Sequence, residues 1–254
     1  MVLYLKKIIF KIDLIRRNFN ILDNKSHIFN MAFNEYGFNG IRLIDKIEPI
    51  EILNNEPFVK ILFGTGYIAF AIEDTNVDIE NHYSNVFALL KKGIDWYKYK
   101  FKNNTSRIGC RFIFSVEEIE NYEKLLTRFF SLANIFKSNL QYKDETDFLF
   151  RLESAKLPQL STFQKEPSVN LSFGPGSEKD HSKFFESPVE KIKLSEGFLF
   201  DIDFFWKFHN DDPYPFITIK PKEIILENYR IADKIITNTL ENSNENNDSP
   251  LSNE

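Results

Sequence analysis

Two arginines and two aspartates make the first chemical suggestion in this sequence. In RIGCRFIF (107–114), Arg107, Gly109 and Arg111 alternate with Ile108, Cys110 and Phe112. In FLFDIDF (198–204), Asp201 and Asp203 alternate with Phe200, Ile202 and Phe204. Successive side chains of a strand point to opposite faces, so each segment reads as a strand with one apolar and one charged side. A third segment, 147–153, sets Asp147, Arg151 and Glu153 against Phe148, Phe150 and Leu152. If these strands share one sheet, its second face gathers Arg107, Arg111, Arg151, Glu153, Asp201 and Asp203. Such a face admits two chemistries. One is a set of cross-strand ion pairs, each worth about 0.2–1 kcal/mol. The other is a groove in which guanidinium groups take an anionic small ligand or the carboxylates of a protein partner.

The remaining constellations are less specific. Asp201, Asp203, Asp211 and Asp212, with His209, supply the clustered oxygens that a hard divalent cation wants, which opens a metal-dependent hydrolase or nuclease as the alternative function. HNDDPYP also reads as a turn in which Asp and Pro serve the backbone. GPGSEKDHS lacks the Lys-Ser/Thr of a phosphate loop. WYKYKFK (96–102) interleaves cations with aromatics, as nucleic-acid grips do, but cations near a helix C-terminus also complement its dipole. No serine lies in a G-x-S-x-G elbow, and Cys110 points into the core by alternation. The reading is therefore a non-enzymatic binding or interaction module with no cofactor.

Composition agrees with that class. The 254 residues are 43% hydrophobic and 27% charged, with 27 Phe and 10 Tyr beside 2 Trp. That is ordinary for a globular protein with an aromatic-rich core. A net charge of −5 argues against a general nucleic-acid coat. A lone cysteine permits no internal disulfide and suits a reducing compartment. Lysines 6, 7 and 11 interrupt the apolar amino terminus, and no apolar run nears the roughly 20 residues that cross a bilayer. A cytoplasmic protein without a membrane span is expected.

The elements that must position these residues follow from periodicity. Residues 4–14 alternate as a strand. A short helix fits 25–37. FVKILFGTGYIAFAIED (58–74) reads as a hairpin turning at Gly64–Gly66, and Val77 with Ile79 suggests a further short strand. Val86, Phe87, Leu90, Ile94 and Tyr97 give a helix face that continues in phase past Gly93. After the 107–114 strand, Ser115 and Glu118 form a capping box before a helix striped by Ile119, Tyr122, Leu126, Phe129, Phe130 and Ala133. Strands at 148–152, 169–173 and 198–204 precede a closing helix over 222–240. The expected fold is α+β, a mainly antiparallel sheet with packed helices and a possible duplicated strand–helix–three strands–helix unit. One half would span 1–104 and the other 105–241, with a disordered acidic tail over 242–254. Ser154–Pro167 and Gly174–Glu190 read as long connections.

R-x-G-x-R in a strand after a long helix, D-I-D in a late strand and a closing amphipathic helix together resemble a sporadically distributed bacterial family of uncharacterised proteins. The matching positions are Arg107, Gly109, Arg111, Asp201 and Asp203. This chain has Cys110, Phe112 and Phe114 where the resemblance leads one to expect Leu, Tyr and Asn, and Asn228 where a closing-helix histidine is expected. The resemblance implies no particular activity. Its scattered occurrence implies a mobile or defence-like gene context.

Overall fold

The computed structural model describes residues 2–43, 50–55, 58–73, 84–100, 104–117, 119, 125, 149–156, 167–175, 197–215 and 218–245. Its frame is one ten-stranded sheet with every strand pairing antiparallel. At its centre lies β1 (Val2–Leu14), paired with β5 (Tyr67–Glu73) on one side and β6 (Asn104–Glu117) on the other. Outward from β5 run β4 (Phe58–Phe63), β3 (Ile50–Asn55) and β2 (Gly40–Leu43). Outward from β6 run β9 (Phe198–Lys207), β8 (Ser168–Pro175) and β7 (Phe150–Lys156), while the short β10 (Tyr214–Pro215) pairs with the start of β6. Strands from both sides of residue 104 thus join a single sheet.

Alternation fixes which face is which. Ile8, Phe10 and Ile12 of β1, Ile68, Phe70 and Ile72 of β5, and Ile108, Cys110, Phe112 and Phe114 of β6 are all fully buried. So are Phe200, Ile202 and Phe204 of β9. A slip of one residue would turn this row outward, so burial locks the register. The helices α1 (Asn20–Asp23) and α2 (Lys25–Asn30), the latter running into a π-helical turn over Met31–Glu35, follow β1. Two longer helices, α3 (Ser84–Lys100) and α4 (Pro221–Glu245), add their apolar stripes to the core. Phe87 of α3 meets Phe70 edge-on at 5.9 Å, and Tyr229 of α4 stacks on Phe114 at 5.9 Å. Gly93 does not end α3. A Cβ there would come within 2.5 Å of the Phe63 ring, so the missing side chain is what lets the helix lie close to β4.

Several expectations need correction. Two strands, β2 and β3, precede the expected hairpin, so four strands follow the first helices among the described residues; GIRL and IEILNN are too short and mixed to announce themselves. Ser115 is no helix cap. It lies within β6, pairs with Tyr4, and its hydroxyl bonds the Glu117 carboxylate at 3.0 Å. The strand there continues because Tyr4, Leu3 and Val2 of β1 extend the ladder beyond residue 114. Ser154–Lys156 belongs to β7 rather than to a connection. The closing helix reaches Glu245, so residues 242–245 are helical and not tail. The expected strand at Val77 and Ile79, the helix stripe beyond Ile119, most of both long connections, and residues 246–254 lie outside the described residues. Among the described residues, no helix is long and apolar enough to cross a membrane.

Candidate functional site: a charged face on β6, β9, β8 and β7

Register brings the sequence-selected charges onto one face. Arg111 sits opposite Asp203, Ile113 opposite Asp201, and Arg107 opposite Lys207 on the β6–β9 ladder. Asp201 in turn faces Ser172 on β8, and Ser172 faces Arg151 on β7. The ion pairs run diagonally. Arg111 grips Asp201 with two bonds, Nε to Oδ1 at 2.6 Å and Nη2 to Oδ2 at 2.5 Å. Arg107 reaches further along the strand, its Nη2 donating to Asp203 Oδ2 at 3.2 Å.

Gly109 explains how Arg107 makes that reach. A Cβ at 109 would lie 3.0–3.3 Å from the Arg107 guanidinium, so the side chain lies down over the glycine. The ring of Phe205, opposite Gly109, supports the cation with its centroid 5.3 Å away. The R-x-G-x-R spacing thus suits the packing: two long cations lean the same way, and a side chain between them would make Arg107 shift by a few tenths of an ångström. The charges continue across β1, where Asp13 lies 3.8 Å from Arg107 and 2.7 Å from Lys11.

Burial tunes the site. Asp203 is pushed above its ordinary carboxyl value by burial; Arg107 and Arg111 oppose the shift, Asp201 adds to it, and the Asn170 side chain hydrogen-bonds the charged form. The Arg111 guanidinium is held more firmly protonated, chiefly by its bond to Asp201. On the core face beneath, burial raises the Cys110 thiol well above its ordinary range, which leaves it a packing residue. The charged face is not simply solvated: Ile113, Phe205 and Leu199, which share it, are buried.

A pocket of about 320 Å³ opens over this corner, with Arg111, Arg151, Asn170, Ser172, Asp201 and Asp203 as its polar lining, Leu149 as its apolar wall and the strand at Leu171 beneath. Arg151 lies at its rim on the outermost described strand of that side. It is two-thirds exposed and pairs at 2.7 Å with Glu153, itself 61% exposed. Between Leu152 and Ala155 the ladder slips, and Ser154 adopts a left-handed φ of 53°. Its N–H donates to Asn170 Oδ1 at 2.9 Å, which fixes the amide that also faces Asp203. Sequence reasoning missed Asn170 and Ser172, although they alternate with Val169, Leu171 and Phe173 as plainly as the arginines do with their neighbours. Arg107 does not line the pocket; it supports Asp203 from the other side.

The alternative carboxylate cluster is not gathered. Asp211 and Asp212 are exposed in a turn closed by the Asp212 N–H on the His209 carbonyl, past the end of β9. Among the described residues, no three His, Cys, Asp or Glu side chains come together as a metal ion would need.

No family model matches the chain, and no curated protein matches it either. Among solved structures, the chain is similar to the TBP of Methanococcus jannaschii, with 9% identity and a TM-score of 0.31 over 95% of this chain and 99% of that one. A likeness at that level implies nothing about function.

Proposed function

We propose that this protein is a non-enzymatic binding module that captures a carboxylate or similar anionic group, on a small ligand or a partner protein, at the β6–β9–β8–β7 corner of its sheet. The observation that carries this reading is Arg151. It is an arginine at the mouth of a pocket, tied among the described residues to an equally exposed Glu153 two residues away on its own strand. An exposed pair of that kind contributes little to folding, and its guanidinium can exchange Glu153 for an incoming anion at small cost. Arg111, gripped by Asp201, lines the same space. A cytoplasmic setting and a bacterial source belong to this reading. So does descent by duplication, which is supported by the way β1 and β6 pair centrally while each half continues into an antiparallel meander and ends in a long helix.

The test is calorimetric titration of the full chain with simple carboxylates, leucine and 4-methylpentanoate among them. At least one should bind saturably, and Arg151→Ala should weaken it at least tenfold without moving the urea midpoint. If no carboxylate binds, or if binding survives Arg151→Ala intact, the reading falls.

A further inference from the structure

The same pocket holds as many carboxylates as arginines, and that balance restricts what it can accept. Of its two cations, Arg111 is already matched by a bidentate carboxylate. Arg151 is the cation at the rim. Asp201 and Asp203 stand across β8 from it, and the two flanking strands lie about 10 Å apart. A ligand carrying only negative charge would gain Arg151 and meet two aspartates in the same small space. Like charges brought together out of bulk water repel strongly, which penalises such a ligand.

We propose, resting on the binding-module reading above, that the ligand is a small zwitterion of the α-amino acid type, its carboxylate on Arg151 and its ammonium on Asp203 and Asp201. Each carboxylate has about four acceptor positions, and Arg111, Arg107 and Asn170 do not use them all. Ser172 adds a hydroxyl on the strand between the two ends. An α-amino acid carries its carboxylate and ammonium on one carbon, so a single small ligand offers an acceptor to Arg151 and donors to Asp203 and Asp201 together. Leu149 leaves an apolar wall for the side chain, and it is 69% exposed with no apolar cover among the described residues. An aliphatic side chain on the ligand fits that wall. Asn170, held by the Ser154 N–H, stops Asp203 from turning away, so the acceptor is in place before the ligand arrives.

Three probes of similar aliphatic size separate the possibilities on the unmodified protein: leucine, 4-methylpentanoate, which lacks the amino group, and 3-methylbutylamine, which lacks the carboxylate. Leucine should bind at least tenfold more tightly than either at pH 7 and low ionic strength. Asp203→Asn should weaken leucine at least tenfold and tighten 4-methylpentanoate, while Arg151→Ala weakens both. If 4-methylpentanoate matches or beats leucine and still depends on Arg151, the zwitterion is wrong and the anion-binding function stands. If the amine alone matches leucine, the carboxylate contact is wrong and both readings fail. Silence from all three probes overturns both as well. The comparison among probes on the native chain needs no variant, so a misfolded Asp203→Asn would not rescue the proposal.

Discussion

On the β4–β5–β1 side of the sheet, Lys7 meets Glu73 at 2.6 Å with side chains 7% and 0% exposed, and Lys60 meets Glu51 at 3.2 Å with side chains 12% and 2% exposed. On the β6–β9 side of the same face, Arg111 and Asp201 pair at 39% and 15% exposure beside an open pocket. Both regions obey one alternation rule, yet they use charge for different ends. The lysine pairs are sealed from solvent. The arginine pairs border space, and the outermost arginine is held by the weakest partner. Lysine is a compact point charge that one carboxylate can satisfy, whereas the arginine fork keeps donors for a second acceptor. A polar sheet face is therefore not one site; its function is local to the corner where guanidinium groups meet a cavity.

Breaking a sealed pair should have the largest effect. Glu73→Ala removes the ion-pair partner of Lys7 in a nearly dry setting, and removal of one partner of such a pair costs about 3–5 kcal/mol. Replacing both, Lys7→Met with Glu73→Leu, should restore most of that loss, because the desolvation penalty disappears along with the attraction. Urea unfolding of the single and double variants reads both quantities. A single-variant loss under about 1 kcal/mol would erase the distinction between the two regions.

Next in size is Arg111→Ala. Two charge-assisted bonds are lost, but both partners touch solvent, so a cost of about 1–2 kcal/mol is expected in the unfolding free energy. A cycle with Asp201→Ala should recover most of it as coupling, since the two side chains are bonded to each other. A cost equal to that of Glu73→Ala would mean the arginine corner is structural like the lysine side.

The same contrast marks how far the sequence could be read. Long, strongly alternating strands such as Ile8–Leu14, Ile108–Phe114 and Phe200–Phe204 were legible because burial on one face fixes every other residue, and this also placed Arg107, Arg111, Asp201 and Asp203 together. The role of Gly109 was not legible: nothing in one dimension says that Arg107 will lie over it toward a residue four positions beyond its opposite partner. Nor was the pairing of Lys7 on β1 with Glu73 on β5 or of Lys60 on β4 with Glu51 on β3, since ladder partners come from topology rather than pattern. Leu152 shows the converse failure. It alternates as a core residue should, yet it is 58% exposed on an outer strand where the ladder slips.

The smallest effect concerns pH, and it probes whether the arginine corner is tuned or merely paired. Burial raises the Asp203 carboxyl above its ordinary 3.8 against the pull of Arg107 and Arg111. Between the unfolded and the raised folded value, the native state therefore binds more protons than the unfolded one. The slope of stability with pH from this group is then negative: its contribution is full below the unfolded value and is lost as pH rises through the folded one. Other carboxylates of the chain add slopes of their own, so the difference between wild type and Asp203→Asn is the quantity to follow. As pH rises from about 3 to 6, wild type should lose ground to Asp203→Asn, because only wild type must ionise a buried group. If wild type instead gains on Asp203→Asn over that interval, the arginines outweigh burial. Asp203 would then be a plain ion-pair partner like those of the lysine side, with less reason to hold its place for a ligand's ammonium.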